Sequence, residues 1–337
     1  MRYFNLGELS SYRACLMGVA TIMILCCHAS VWCTGLPSII RSFLVLGNLG
    51  VDIFLFLSGF GLYFSLEHSN NGLCSWYAKR YNRVLIPYFI IVIPCYTIIA
   101  LVNGDSFCMY LANISTLSYW LYHKGAWYVA MLIPLYFATP LLKKILSGRY
   151  QLLAFVLLVI ASTVPAYCLL NVINIRDGFL YNLCFVLMRL PSFLFGLFIA
   201  PWIKKNKEIR YDLICAISVL LLFLSFIMQK RALPFELFMV IPITVVSIKV
   251  MSVNNKYIGE IRCFFAFMGS ISLESYLYNI LLPIILISIN WDFIKVGINN
   301  GNYFIYSLTI LIGVVLSYLT HRMTNRLISN KHKTNAF

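Results

Sequence analysis

Long apolar runs follow one another along the whole chain and are separated only by short polar breaks. A transmembrane helix needs about 20 predominantly apolar residues, and segments of that kind recur throughout. They cover residues 14–33, 42–66, 84–103, 126–142, 151–171, 179–202, 211–229, 233–250, 263–289 and 303–322. The pattern predicts an all-α, polytopic membrane helical bundle with about ten transmembrane helices. A count of about nine or eleven stays open, because the fourth segment is short and the break at 229–233 is tight.

The composition favours a membrane protein over a soluble one. Of the 337 residues, 61% are hydrophobic and 11% are charged, whereas about 25% of the residues in soluble domains are charged. No linker or polar domain interrupts the apolar segments, so we expect a single transmembrane domain over residues 1–337. No small-residue cleavage site follows the first segment, which favours a retained helix over a removed signal peptide.

The basic residues follow the loops, although the formal net charge of +15 could suggest a nucleic-acid partner. When successive loops are assigned to alternate sides of a membrane, most Lys and Arg residues fall on the side of the N-terminus. Loops rich in Lys and Arg are retained in the cytoplasm. We therefore expect both termini to be cytoplasmic and the lipid bilayer, rather than nucleic acid, to be the partner of this surface.

Eleven cysteines are scattered singly, most of them within apolar segments. This spacing is neither a disulfide framework nor a set of metal ligands. Buried cysteine is mostly small apolar filler, so we expect no metal site.

Ionisable side chains in a bilayer core cost several kcal/mol unless they are paired or line a cavity, which makes each one a functional candidate. Four lie near the middle of predicted spans: His28, Asp52, Arg189 and Glu274. His28 lies about 20 Å along the first helix from Arg13, past the midplane when counted from the cytoplasmic face. It is either a core histidine that bonds a neighbouring carbonyl or the group for which the site exists.

Polar residues also accompany the two predicted carboxylates. Asn48 lies one turn before Asp52. Instead of a functional role, Asp52 has the structural alternative of an ion pair with Arg189. In the ninth segment, Ser270, Glu274 and Tyr278 recur at intervals of four residues, which predicts a polar stripe that faces a wet cavity or the bundle interior. Hydrogen bonding between helices would explain the serines but not the glutamate.

A basic cluster lies in the segment "WYAKRYNRVLIPYF", residues 76–89, at the predicted cytoplasmic end of the third span. Its members are Lys79, Arg80 and Arg83. Juxtamembrane basic residues ordinarily set topology and contact anionic lipid. Guanidinium groups also bind phosphate oxygens in a forked geometry, so a phosphate clamp is an equally good interpretation of the residues alone.

Several segments together resemble the integral-membrane acyltransferase 3 family. They are "YRACLMGVATIMILCCHAS" (12–30), "GVDIFLFLSGFGL" (50–62), "WYAKRYNRVLIPYF" (76–89), "AWYVAMLIPLYFATPLL" (126–142) and "SLESYLYN" (272–279). The resemblance implies a multi-pass protein of the bacterial inner membrane. It also implies transfer of an acyl group, commonly acetyl, from acetyl-CoA to hydroxyls of cell-surface polysaccharides. Some relatives carry a fused extracytoplasmic hydrolase-like domain, which we do not expect here, so separate glycan-assembly proteins are possible partners; no motif specifies an oligomeric state.

The resemblance assigns roles residue by residue. His28 matches the family's histidine and is the expected general base, or alternatively a transient acyl carrier. The family's arginine is replaced by Met17, and Arg13 lies one turn earlier. Asp52 and the following Ser58 match the second element.

Further roles follow from the same resemblance. Asp52 or Glu274 would orient the imidazole ring, and Arg13 or Arg189 would stabilise the oxyanion. Lys79, Arg80 and Arg83 would bind the phosphates of acetyl-CoA. Asn279 stands where relatives often have a histidine, and an amide cannot act there as an acid or base.

A transporter or flippase of a lipid-linked sugar or polysaccharide is the alternative function, because intramembrane charges also serve as proton relays. Transporters of that kind often contain two corresponding halves. We find no internal repeat, and the chemistry-bearing residues are concentrated in the first three predicted spans. The pattern therefore favours the enzyme, and a membrane scaffold without chemistry would leave the buried charges unexplained.

Overall fold

The structure is a computed structural model that describes residues 3–33, 35–69, 72–230, 236–289 and 303–334. In these residues the fold is all-α apart from one short antiparallel pair, β1 (Tyr3–Asn5) with β2 (Glu208–Arg210). The helices are α1 (Glu8–Ser11), α2 (Arg13–Trp32), α3 (Ser38–Val45), α4 (Leu49–Glu67), α5 (Gly72–Asn103), α6 (Phe107–Ile114), α7 (Leu117–Tyr122), α8 (Trp127–Leu146), α9 (Gln151–Tyr167), α10 (Gly178–Lys204), α11 (Tyr211–Lys230), α12 (Glu236–Met251), α13 (Lys256–Ser270), α14 (Ser272–Ser288) and α15 (Tyr303–Thr334). A 3-10 turn at Leu46–Asn48 precedes α4, and a π-helical turn at Cys168–Val172 extends α9.

The all-α prediction is confirmed, and each predicted apolar segment overlaps a helix. By length and composition, six stretches of the described residues can cross a membrane, or seven if a bent pair is counted as one span. The six are Arg13–Trp32, Ser38–Glu67, Gly72–Asn103, Trp127–Leu146, Gln151–Val172 and Gly178–Lys204. The count of ten spans and the cytoplasmic termini stay predictions, and positions 233–235 of the predicted eighth span lie outside the described residues.

The bent pair is α13 and α14, whose axes differ by 68°. The sequence predicts one span over 263–289, in which Ser270 and Glu274 belong to a single polar stripe. The break lies at Ile271, whose backbone has left the helical region (φ −102°, ψ 16°). Consequently Ser270 ends α13, and the interval of four residues does not place it on the same helical face as Glu274.

The backbone forms two compact units. The first unit comprises Met1–Ala20, Leu49–Asn70 and Phe137–Ser270. Its centre is the pairing of α4 with α10, against which α9 and α12 also pack. The residues of α4 that face this core include Leu55, Phe56, Leu57 and Phe60, all essentially without solvent exposure.

Reciprocal glycines bring α4 and α10 close together in this first unit. A Cβ atom on Gly59 would lie 2.3 Å from the carbonyl oxygen of Phe193, and one on Gly196 would lie 2.1 Å from that of Phe56. Only the absence of a side chain at both positions permits this contact between backbones. The crossing sets the register in which polar residues of the two helices meet.

The second unit comprises Thr21–Asn48, Asn71–Tyr136 and Ile271–Phe337. Within it, α14 packs on both α5 and α15. The second half of α2, with His28, belongs to this unit. Its buried aromatic residues include Trp76, Tyr88 and Tyr119.

Candidate functional site

His28 lies in the last third of α2 and is half-buried. Its Nδ1 atom is hydrogen-bonded to the side-chain oxygen of Asn279 on α14. Within the described part of the chain, no hydrogen bond reaches Nε2 of the same ring. The imidazole is therefore held at one nitrogen, and no described residue occupies the other.

The Asn279 amide continues into a short chain of hydrogen bonds within the second unit. Its Nδ2 atom donates to the hydroxyl of Tyr306 on α15 at 3.1 Å. That hydroxyl donates in turn to the backbone carbonyl of Leu25 on α2 at 3.2 Å. Asn279 and Tyr306 are both buried, so this chain links α2, α14 and α15 around His28.

Glu274 is placed beside a different histidine. The glutamate is 4% exposed, and its Oε1 atom accepts a hydrogen bond from Nδ1 of His321 on α15 at 3.0 Å. Nε2 of His321 accepts from Asn325 at 2.9 Å. The carboxylate that the sequence analysis offers as an orienter of His28 thus orients His321.

The same pair of helices makes a second polar contact. The Tyr278 hydroxyl and the Thr320 hydroxyl are 3.0 Å apart. Ser270 is exposed and donates to the carbonyl of Phe267 in its own helix at 2.7 Å. Of the predicted polar stripe, Glu274 and Tyr278 therefore share the seam between α14 and α15.

Asp52 is completely buried and forms an ion pair with Arg189, which is 3% exposed. The other carboxylate oxygen accepts a hydrogen bond from Ser192 at 2.8 Å. Glu236 lies 3.7 Å from the same guanidinium. The ion pair that the sequence analysis keeps as an alternative is present, and it joins α4 to α10 beside the glycine crossing.

Arg13 is directed at α4 within the first unit. Its Nε atom donates to the carbonyl of Leu57 at 3.3 Å, and its guanidinium lies 5.9 Å from the centre of the Phe60 ring. Gly61 leaves the space, because a Cβ there would lie 2.8 Å from the guanidinium. Since α2 is continuous from Arg13, His28 is roughly 20 Å further along the helix axis.

The other two predicted polar positions flank Asp52 in the chain. Asn48 is half-buried and ends the 3-10 turn before α4, so it does not belong to the regular helix that carries Asp52. Ser58 is half-buried on α4, next to Gly59.

The basic cluster lies on the first half of α5. Lys79 and Arg83 are exposed, and Arg80 is half-buried with an Nε atom that has no hydrogen-bond partner among the described residues. The neighbouring Tyr81 donates to the carbonyl of Ile133 on α8 at 2.9 Å, which anchors this turn. The cations are thereby presented on a fixed turn of helix.

Sequence reasoning missed several partners in these clusters. Ser192, Glu236 and Tyr306 lie in apolar contexts or beside predicted loops. His321 lies at the end of the last predicted span, where a polar residue is unremarkable. The spacing of four between His321 and Asn325 was the one available signal. Among the described residues, no group of three His, Cys, Asp or Glu side chains is arranged to hold a metal ion.

Comparison with known protein families identifies the chain's family. A family model described as an acyltransferase domain, that of the acyltransferase 3 family, matches residues 15–322, nearly the whole chain. No curated protein and no solved structure matches. The matched range includes His28, its hydrogen-bond partner Asn279 and the whole of the basic cluster.

Proposed function

The chain belongs to the acyltransferase 3 family, and we propose that it is a membrane O-acyltransferase in which His28 acts as the general base. The proposal rests on the His28 imidazole, which is hydrogen-bonded at one of its two ring nitrogens. Asn279 holds Nδ1 of His28, and Nε2 has no hydrogen-bond partner within the described residues. A general base needs an unprotonated nitrogen that a substrate proton can reach.

The proposed reaction is a direct transfer. Nε2 of His28 takes the proton of the acceptor hydroxyl as that oxygen attacks the thioester carbonyl carbon. The carbon–sulfur bond of the resulting tetrahedral intermediate then breaks, and the imidazolium returns the proton to the leaving thiolate. The products are the ester and free CoA, and His28 ends as it began.

The proposed donor is an acyl-CoA, with acetyl-CoA as the expected one. Its phosphates carry several negative charges, and Lys79, Arg80 and Arg83 present positive charge on one turn of α5. The unpartnered Nε atom of Arg80 supports this assignment, because a buried donor without an acceptor is unfavourable until something accepts from it. By the positive-inside rule, this turn lies at the cytoplasmic face, where acyl-CoA is found.

The proposed acceptor is a hydroxyl of a cell-surface polysaccharide or exopolysaccharide sugar. The protein would lie in a bacterial inner membrane with about ten spans and cytoplasmic termini. Other glycan-assembly proteins would supply or remove the acceptor. This assignment rests on the resemblance and on the membrane-capable helices.

The remaining intramembrane charges are proposed to hold the fold. Asp52 and Arg189 neutralise each other between α4 and α10, and Arg13 is occupied by α4. Glu274 fixes His321 on α15. These contacts support structural roles, since each charged group already has a protein partner.

The experiment is to compare surface glycan from cells that express the gene with glycan from cells that lack it. We expect the mass of an O-acetyl group on the expressing sample and its removal by mild alkali, which cleaves esters. Membranes of the expressing cells should also transfer label from acetyl-CoA to the glycan of the deletion strain. Glycan that changes location but gains no label would support the transporter alternative instead.

A further inference from the structure

The donor and acceptor of each hydrogen bond around His28 can be assigned, and the assignment begins with the backbone carbonyl of Leu25. A backbone carbonyl can only accept, so the Tyr306 hydroxyl directs its proton to Leu25 at 3.2 Å. The Tyr306 oxygen then accepts from its other neighbour. That neighbour is the Asn279 amide at 3.1 Å, which must present its NH2 group to the tyrosine.

Once the NH2 group of Asn279 faces Tyr306, the amide oxygen faces His28. An amide oxygen has no proton to give, so the hydrogen bond between Asn279 and Nδ1 of His28 requires the proton to be on Nδ1. A neutral imidazole carries one proton. Nε2 is consequently the nitrogen with the free lone pair.

We propose that Asn279 and Tyr306 are positioning residues that hold His28 as its Nδ1-protonated tautomer and so present Nε2 as the base. The proposal rests on the proposed function, because it explains how the proposed base is kept ready. Neither residue contacts the acyl group or the acceptor in this scheme. Both act through His28, and Asn279 stays uncharged throughout the reaction.

In the same unit, both ring nitrogens of His321 form hydrogen bonds, in contrast to those of His28. His321 donates from Nδ1 to Glu274 and accepts at Nε2 from Asn325. Both ring nitrogens are used, so His321 has no free lone pair for a substrate. Of the two rings that α14 contacts, His28 is therefore the one whose second nitrogen is open to a substrate among the described residues.

A double-mutant cycle tests the direction of the chain. Tyr306→Phe removes the hydroxyl and frees the Asn279 amide to turn its NH2 group toward His28, which selects the opposite tautomer. We expect kcat to fall by about tenfold to a hundredfold, within the range that general base catalysis supplies. We expect the KM for acetyl-CoA to be unchanged.

The second arm of the cycle uses Asn279→Asp. A carboxylate presents only acceptor oxygens to Nδ1, so it keeps the tautomer without help from Tyr306. In this background Tyr306→Phe should leave kcat unchanged. If Tyr306→Phe lowers kcat equally in both backgrounds, the hydroxyl has a merely structural role and the proposal is overturned.

Further variants separate failure of the tautomer proposal from failure of the proposed base. His28→Ala separates the failures: full activity in that variant removes the base itself, whereas an inactive His28→Ala with a fully active Tyr306→Phe removes only the tautomer proposal. If Tyr306→Phe does not yield folded protein, Asn279→Leu is compared with Asn279→Asp. The proposal expects a loss of at least about tenfold in kcat for leucine relative to aspartate, and equal activity contradicts it.

Discussion

The Glu274 carboxylate accepts a hydrogen bond from Nδ1 of His321 at 3.0 Å, so the buried acid of α14 orients a histidine other than His28. Replacing Glu274 by alanine removes the acceptor and leaves His321 with an unpaired donor. We predict a loss of about 1–3 kcal/mol in stability, seen as a lower melting temperature in detergent, with kcat of the surviving protein near the wild-type value.

Glu274→Gln is the matched control, because an amide oxygen can still accept from His321. Its melting temperature should lie between those of the wild type and Glu274→Ala. A Glu274→Ala protein that melts like the wild type but has lost its activity would show that the carboxylate serves the chemistry after all.

The ion pair of Asp52 with Arg189 gives a second prediction. Removing one member of a buried pair leaves an uncompensated charge, which costs about 3–5 kcal/mol. Asp52→Ala should therefore reduce the yield of folded protein and lower its melting temperature sharply. Glu260→Ala removes an exposed carboxylate of α13 and should have little effect. Equal melting temperatures for the two variants would count against a structural role for the pair.

The glycine crossing of α4 with α10 gives a third prediction. Gly59→Ala would place a Cβ 2.3 Å from the Phe193 carbonyl oxygen, and the helices would have to separate. Overpacking of this kind costs about 1–3 kcal/mol. Gly148→Ala is the control, because the nearest atom to its Cβ is 3.7 Å away. In thermal unfolding in the same detergent, Gly59→Ala should melt at a lower temperature than Gly148→Ala. Equal melting temperatures would contradict a tight crossing.

The basic turn of α5 gives a fourth prediction. If Lys79 and Arg80 bind donor phosphates, the Lys79→Ala, Arg80→Ala double variant should raise the KM for acetyl-CoA by about tenfold or more, since each charge-assisted bond contributes about 1.5–3 kcal/mol. Its kcat should change little. The control pair is Arg149→Ala with Lys205→Ala, which removes two exposed cations elsewhere. An unchanged KM in the Lys79→Ala, Arg80→Ala variant would show that the cluster does not bind the donor and leave it a role in membrane topology.

Much of the fold could be predicted from the sequence, because helices in a membrane must satisfy their own backbone hydrogen bonds and long apolar runs reveal them. The break at Ile271 could not, since the polar residues around it fit one continuous helical stripe equally well and the bend depends on packing. The alternative pairing of Asp52 with Arg189 was foreseeable, because buried opposite charges have few other ways to be neutralised.

The partners of the histidines were harder to predict than the histidines themselves. The chemistry of an amide excludes Asn279 as an acid or base, but its contact with His28 depends on how α2 meets α14. His321 and Tyr306 reach the site from α15, far along the chain. Such contacts follow from helix packing, which the spacing of residues in the sequence does not predict.

The most direct test of the central claim is the rate of label transfer from acetyl-CoA to extracted surface glycan by purified protein in proteoliposomes. His28→Ala is compared with His68→Ala, which removes an exposed histidine at the end of α4. We predict that folded His28→Ala protein loses about a hundredfold or more of kcat, while His68→Ala transfers label like the wild type. Wild-type transfer by a folded His28→Ala protein would contradict the assignment of His28 as the base.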